Sequence, residues 1–103
     1  MIDLVLEKRP QISAICAKHG VRKLEVFGSA ARDDFRPEGS DIDFAVEFGD
    51  IDAGVRFHAR LDLEDELGAI FCRKVDIVEL RHVKNPYVLQ TILEDKQLVY
   101  AAA

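Results

Sequence analysis

Cysteine, positive charge and long apolar runs are all scarce in this chain, and each scarcity removes a class of protein. Two cysteines among 103 residues, Cys16 and Cys72, allow at most one bridge, and neither has a second cysteine close enough in sequence for a zinc pattern. Buried, reduced thiols of a cytoplasmic protein are expected. Lys and Arg number 14 against 19 Asp and Glu, a net charge of -5, so no broad basic field exists to hold a polyanion through counterion release. That disfavours generic nucleic-acid binding. One or two arginines could still meet a nucleotide's phosphates, which takes local geometry and not a positive surface. No apolar stretch could span a bilayer, and the segment from Met1 to Glu7 lacks a basic leader followed by a long apolar core. The expectation is a soluble protein with no membrane partner. The length fits one domain over residues 1–103 with a single core, and leaves no room for a second, substrate-binding domain. Internal repeats and low-complexity tracts are absent, and Ala101-Ala102-Ala103 carries no chemical information.

What is present reads as strands alternating with helices. Pro10 would break a continuous first helix, so a short helix should precede a second from about Pro10 to His19, with Ile12, Ile15 and Cys16 inward and Gly20 as its stop. Residues 21 to 27 are β-prone, with Leu24 and Val26 on one side, and a helix is expected to start at Ser29. A turn-rich loop runs from Asp33 to Ser40. In the strand predicted from Asp41 to Phe48, Asp41, Asp43, Ala45 and Glu47 share one face and Ile42, Phe44, Val46 and Phe48 the other. Gly49-Asp50-Ile51-Asp52 makes a turn and a plausible N-cap for a helix carrying Phe57, Leu61 and Leu67, whose acidic residues Asp62, Glu64, Asp65 and Glu66 read as a solvated face. Lys74 to Leu80 is a further apolar strand. Asn85 and Pro86 open a last helix with Val88, Leu89, Ile92 and Leu93 inward, and Gln97 to Tyr100 adds a short strand. The pattern predicts an α/β fold: a small mixed sheet of three to four strands with helices packed on it.

Chemistry concentrates in three aspartates and a glycine corner. Asp41 and Asp43, two apart on a strand, project from one face with Cα atoms roughly 6.6–6.8 Å apart, and Asp76 lies inside the apolar run Val75-Asp76-Ile77-Val78, where a buried charge requires a cation or hydrogen bonds. Magnesium takes hard oxygen ligands, and two-metal sites support in-line phosphoryl transfer. Gly28 would let the backbone approach a phosphate, Ser29 offers hydroxyl and backbone donors, and Arg32 is the nearest reinforcing cation. A lone Gly-Ser pair is ordinarily a turn and a lone Asp-x-Asp a solvated strand face. Their succession in this order within so short a chain points to a metal-dependent nucleotide site. Arg36 reads as a loop or substrate-edge charge, Arg73 and Lys74 as solvated charges, and His58 and His82, lacking a carboxylate or cysteine at ligand spacing, as surface or partner contacts.

The run from Phe27-Gly28-Ser29 through Ser40-Asp41-Ile42-Asp43-Phe44 closely resembles the signature of the minimal nucleotidyltransferases, members of the DNA polymerase beta superfamily. The likeness continues through Arg73-Lys74-Val75-Asp76-Ile77-Val78 and from Asn85-Pro86-Tyr87 to Ile92-Leu93-Glu94. It implies a polymerase beta palm-like nucleotidyltransferase fold, with Asp41, Asp43 and Asp76 as a catalytic, two-Mg2+-binding triad and Asp76 also near the attacking hydroxyl. Gly28 and Ser29, with Arg32, would contact the triphosphate of ATP. Prokaryotic members of the family are often antitoxins of HEPN/MNT toxin–antitoxin systems, and some transfer AMP to a tyrosine of the HEPN ribonuclease toxin. Two departures stand out: the segment between Ser29 and Asp41 is one residue longer than the commoner form, and Cys72 stands where a glycine turn is frequent.

The expected function is thus Mg2+-dependent transfer of AMP from ATP to a protein hydroxyl, with a HEPN-domain toxin as partner. Two alternatives stay open. One is a non-catalytic antitoxin that neutralises its partner by stoichiometric binding. The other is an aminoglycoside-type small-molecule nucleotidyltransferase, in which a homo-oligomer supplies the missing wall.

Overall fold

The computed structural model of the protein describes residues 1–32 and 34–103; Asp33, at the start of the loop expected over 33–40, lies outside the described residues. Two helices come first, α1 (Asp3–Glu7) and α2 (Arg9–Lys18), followed by β1 (Val21–Phe27), a 3-10 turn over Gly28–Ala30 and β2 (Ile42–Phe48). Next are α3 (Ala53–Phe71), β3 (Val75–Val78), a second 3-10 turn at Leu80–His82, α4 (Pro86–Asp95) and β4 (Gln97–Ala101). The four strands lie in the order β3-β2-β1-β4. β1 runs antiparallel to both β2 and β4, while β2 and β3 are parallel, as the intervening α3 crossover requires. The α/β mixed sheet is thus the expected one.

One face of the sheet is sealed. Leu24 and Val26 on β1 lie opposite Val46 and Phe44 on β2, and all four are buried with Ile12 and Cys16 of α2 and Leu63, Leu67 and Phe71 of α3. The rings of Phe44 and Phe71 stand 6.2 Å apart. Burial pushes the Cys16 thiol up to about 12, so it stays protonated and acts as a small apolar filler. Cys72, by contrast, is exposed, contrary to the expectation of two buried thiols. It caps the C-terminus of α3 in the left-handed region at φ 53°, the conformation glycine adopts at little cost.

Several boundaries and faces differ from the sequence reading. In α3 the buried stripe is Ala59, Leu63, Leu67 and Phe71, whereas Phe57 and Leu61 are exposed; both sets repeat every four residues, so periodicity could not choose between them. In α4 only Ile92 is fully buried, and Val88 and Leu93 face outward. β3 stops at Val78 and is only four residues long, because the chain turns at Leu80–His82. The acidic face of α3 is not uniformly solvated: Glu66 pairs with Lys18 and His19, tying α3 to the end of α2. His82 does meet a carboxylate, its Nδ1 lying 3.3 Å from Glu79 Oε2. Asn85 caps α4 as expected, accepting from the backbone N–H of Tyr87 at 2.9 Å and Val88 at 3.3 Å. The terminal alanines also contribute structure, since Ala101 pairs with Lys23 in the sheet and the Ala102 N–H donates to Arg22 O at 2.8 Å. No helix among the described residues is long and apolar enough to cross a membrane.

Candidate functional site

The second face of the sheet carries the polar residues, and register brings three of the predicted positions into a row. Phe27, just before the glycine, is the antiparallel partner of Asp43. Asp43 is in turn the parallel partner of Asp76, so the two aspartates are neighbours on adjacent strands, which lie roughly 4.7–4.9 Å apart. Asp41 precedes β2 by one residue and is exposed. Asp76 departs from expectation: its side chain is 42% exposed, with Lys74 Nζ 3.7 Å from Oδ1. Edge position explains this, since β3 has β2 on one side only.

Gly28 is fitted to this row in two ways. Its φ of +72° lies where a side chain is strained. A Cβ built there would sit 2.8 Å from Asp43 Oδ2, inside the carboxylate's own space. The glycine therefore lets the chain turn and leaves Asp43 its position at the corner. The structure corrects the helix expected at Ser29: a single 3-10 turn forms, closed by the N–H of Ala31 and of Arg32 donating to Gly28 O at 3.0 and 3.1 Å. Among the described residues from Gly28 to Ser40 only Ala30 and Ala31 are buried, too little apolar face to hold an α-helix. Ser29 is half-buried within that turn.

Charge accumulates here. Burial first, then the Asp76 and Asp41 charges, hold the Asp43 carboxyl above the ordinary carboxylate range, against partial relief from Lys74 and Arg32. That pattern marks the three acids as one electrostatic group. Among the described residues no three side chains of His, Cys, Asp or Glu form a ready-made metal cage. Magnesium does not need one, since it is commonly held by one or two carboxylates completed by water and substrate phosphates. Asp43 and Asp76 in register, with Asp41 beside them, are hard oxygen donors that could hold such an ion.

The row opens into a cleft of about 590 Å³ that also takes in Arg32, Arg60, Glu64, Val88 and Asp95. Arg32 bonds Asp34 through Nε at 3.2 Å and pairs with Asp95 at the end of α4. Across the cleft, Arg60 donates to Glu64 Oε1 at 2.7 Å along α3. Arg73 is not a free cation: it donates from Nη1 to Ser40 O at 3.2 Å, and its guanidinium lies over the Phe35 ring, 5.0 Å from the centroid. It thereby fastens the loop before Asp41 to the start of β3. Glu64, Arg60 and Asp95 were missed in the sequence. Arg60 and Glu64 carried a legible signal, an i,i+4 pair of opposite charge, but nothing in the linear order placed α3 beside the carboxylates.

Comparison with known proteins identifies the family of the chain. Residues 10–103 match the family model described as polymerase beta, nucleotidyltransferase. The chain is 40% identical to a candidate protein adenylyltransferase of Methanocaldococcus jannaschii over 96% of its own length and 93% of the relative's. It is 34% identical to protein adenylyltransferase MntA of Thermococcus cleftensis over 81% and 77% of the two lengths. Among solved structures it resembles a chain of the complex between the tri-AMPylated HEPN toxin of Shewanella oneidensis and its MNT antitoxin. There the TM-score is 0.65 at 21% identity, covering 95% of this chain and 73% of that one. The chain belongs to the polymerase beta nucleotidyltransferase family.

Proposed function

We propose that this nucleotidyltransferase moves AMP from ATP to a hydroxyl of a protein, a tyrosine of a HEPN ribonuclease toxin, and so acts as its antitoxin in the cytoplasm. In this reading the 103 residues are one minimal catalytic domain, and the acceptor is presented by the partner. The single observation that carries the assignment is the Gly28–Asp43–Asp76 row, in which a Cβ at Gly28 would meet Asp43 Oδ2 at 2.8 Å and Asp76 is the register partner of Asp43. Asp41, Asp43 and Asp76 hold Mg2+, which when bound neutralises phosphate charge and lowers the pKa of a coordinated hydroxyl. Gly28 and Ser29 present backbone and hydroxyl donors to the triphosphate, and Arg32 exchanges part of its bonding with Asp34 and Asp95 for phosphate oxygens. The acceptor oxygen attacks the α-phosphorus in line as the bond to pyrophosphate breaks.

The test is incubation with Mg2+, labelled ATP and the product of the neighbouring gene. Label should pass to the partner with the native protein and not with Asp41→Asn/Asp43→Asn. Transfer that survives the double change would overturn the site. A second reading, stoichiometric neutralisation by binding, is favoured by the outward Phe57 and Leu61 on α3 and Val88 and Leu93 on α4. It predicts that the double variant still restrains the partner when the two are mixed one to one.

A further inference from the structure

The arginines described above are held by hydrogen bonds: Arg32 to Asp34, Arg60 to Glu64 and Arg73 to Ser40 O. Lys74 differs. Among the described residues its ammonium makes no hydrogen bond; it stands 3.7 Å from Asp76 Oδ1, on a side chain that is 68% exposed, and that separation is too long for one. Register explains its place. Asp43 and Asp76 are partners across β2 and β3, and the N–H of Ile42 donates to Lys74 O at 3.2 Å, which carries the ladder one step further and sets Lys74 beside Asp41. Residues two apart on a strand share a face, so Asp41 and Asp43 on one strand and Lys74 and Asp76 on the next form a four-cornered group of three carboxylates and one ammonium. Electrostatics agrees. Burial chiefly raises the Asp43 carboxyl, followed by the Asp76 and Asp41 charges, and Lys74 is the larger of the two charges that offset them.

Resting on the metal-dependent transfer reading, we propose that Lys74 is a positioning residue, a tethered counter-ion that balances the three carboxylates while no metal is bound and gives way when Mg2+ arrives with the nucleotide. Like charges sharing one face disfavour each other's ionised form. An ammonium on a flexible four-carbon stem relieves that repulsion and stays free to move, which the fixed fork of an arginine does less well. The same ammonium repels an incoming divalent ion. Bare Mg2+ therefore meets a partly neutralised row and binds weakly, whereas Mg2+ carried by a triphosphate brings negative oxygens of its own, to which the ammonium can turn. Metal and nucleotide thus enter together, and metal alone does not lock the acids between turnovers.

The measurement is Mn2+ binding to the full chain, read from the paramagnetic resonance of the free ion, with and without the non-cleaved ATP analogue AMP-CPP. At the dielectric of water a unit charge about 4 Å from another changes an equilibrium by roughly fivefold. Without nucleotide, Lys74→Met should therefore bind Mn2+ at least about fivefold more tightly than the native protein, and with AMP-CPP that gain should vanish. Lys74→Arg keeps the charge and should bind as the native protein does. Lys18→Met makes the same change in net charge at the opposite end of β1 from Gly28, beside Glu66, and should leave Mn2+ affinity unaltered. Lys74→Gln repeats the loss of charge with a polar side chain, and thermal melting of each variant checks that it folds. Equal affinity of Lys74→Met and the native protein, the same gain from Lys18→Met, or a gain undiminished by AMP-CPP would overturn the counter-ion. If Mn2+ binds none of the proteins, or binds Asp41→Asn/Asp43→Asn as tightly as the native chain, the carboxylate site itself falls, a separate result.

Discussion

Gly28 and Gly20 make a matched pair for testing whether the glycine corner serves the site or only the turn. Both sit at nearly the same positive φ, +72° and +70°, but a Cβ at Gly20 would meet nothing within 4 Å, whereas at Gly28 it would lie 2.8 Å from Asp43 Oδ2. Alanine in the left-handed region costs about 1–2 kcal/mol, and roughly 0.4–1 kcal/mol of that returns through the stiffer unfolded chain. Gly20→Ala should therefore lose about 1 kcal/mol. Gly28→Ala carries the same penalty and must also turn the Asp43 side chain away, at roughly 0.5–1.5 kcal/mol for an off-rotamer conformation. For a chain of this size each kcal/mol corresponds to about 4–8 °C in Tm, so thermal melts resolve the difference. Activity separates the two further: nucleotidyl transfer should survive Gly20→Ala and fall by at least about 100-fold in Gly28→Ala, the scale set by misplacing a reacting group by about 1 Å. Combining Gly28→Ala with Asp43→Ala should recover the extra loss of stability, since the clash then has no partner. If the two single variants melt together and both stay active, the contact with Asp43 is incidental and the corner is only a turn.

Three further outcomes follow. Asp43→Asn should abolish transfer yet raise Tm at neutral pH, because the charged form of Asp43 is disfavoured in the fold; its carboxyl titrates above the ordinary range, so the native enzyme is penalised above its folded pKa. That penalty fades as pH falls through the folded value and is gone below the unfolded one, so paired melts should converge in acid and diverge towards neutrality. Cys72→Gly should stabilise by about 0.5–1 kcal/mol, the left-handed strain at φ 53° less the added freedom of the unfolded chain, read as a shift in denaturant midpoint without a change in slope. Asn85→Ala removes the acceptor for the Tyr87 and Val88 N–H groups and should cost about 1 kcal/mol, with faster amide exchange confined to the first turn of α4.

Elements were legible wherever one physical signal dominated. Alternation with period two over Ile42–Phe48 defined β2 because one face is fully sealed and the other carries Asp43 and Glu47. Asn85-Pro86 marked the start of α4 because an amide acceptor and a missing N–H both suit a helix entrance. The misreadings occurred where two signals competed. Phe57/Leu61 and Leu63/Leu67 are equally good helical stripes, and only the position of the sheet decides which is buried. After Gly28, the backbone donors and small residues of a helix start are present, but the buried apolar residues that would hold a helix down are not, so one 3-10 turn forms.

The same distinction explains which parts of the site could be read. Asp41 and Asp43 are related by a local period, and Gly28 announces its turn by residue type alone. Asp76 is related to Asp43 only through the parallel pairing of β2 with β3, a contact between segments 33 residues apart that no local pattern encodes; ordered chemistry along the chain had to stand in for it. Arg60 and Glu64 had no such order to lean on. Their place in the cleft depends on α3 packing against an edge strand, so that Arg60 and Glu64 line the same cleft as Asp43 and Asp76. Were β3 an inner strand, another strand beside it would separate α3 from Asp76, and the pair would read correctly as the solvated i,i+4 bridge that sequence alone suggests. The edge position of β3 thus does two things at once: it leaves Asp76 partly exposed, and it lets side chains of a helix from the core layer line the same cleft as Asp43 and Asp76.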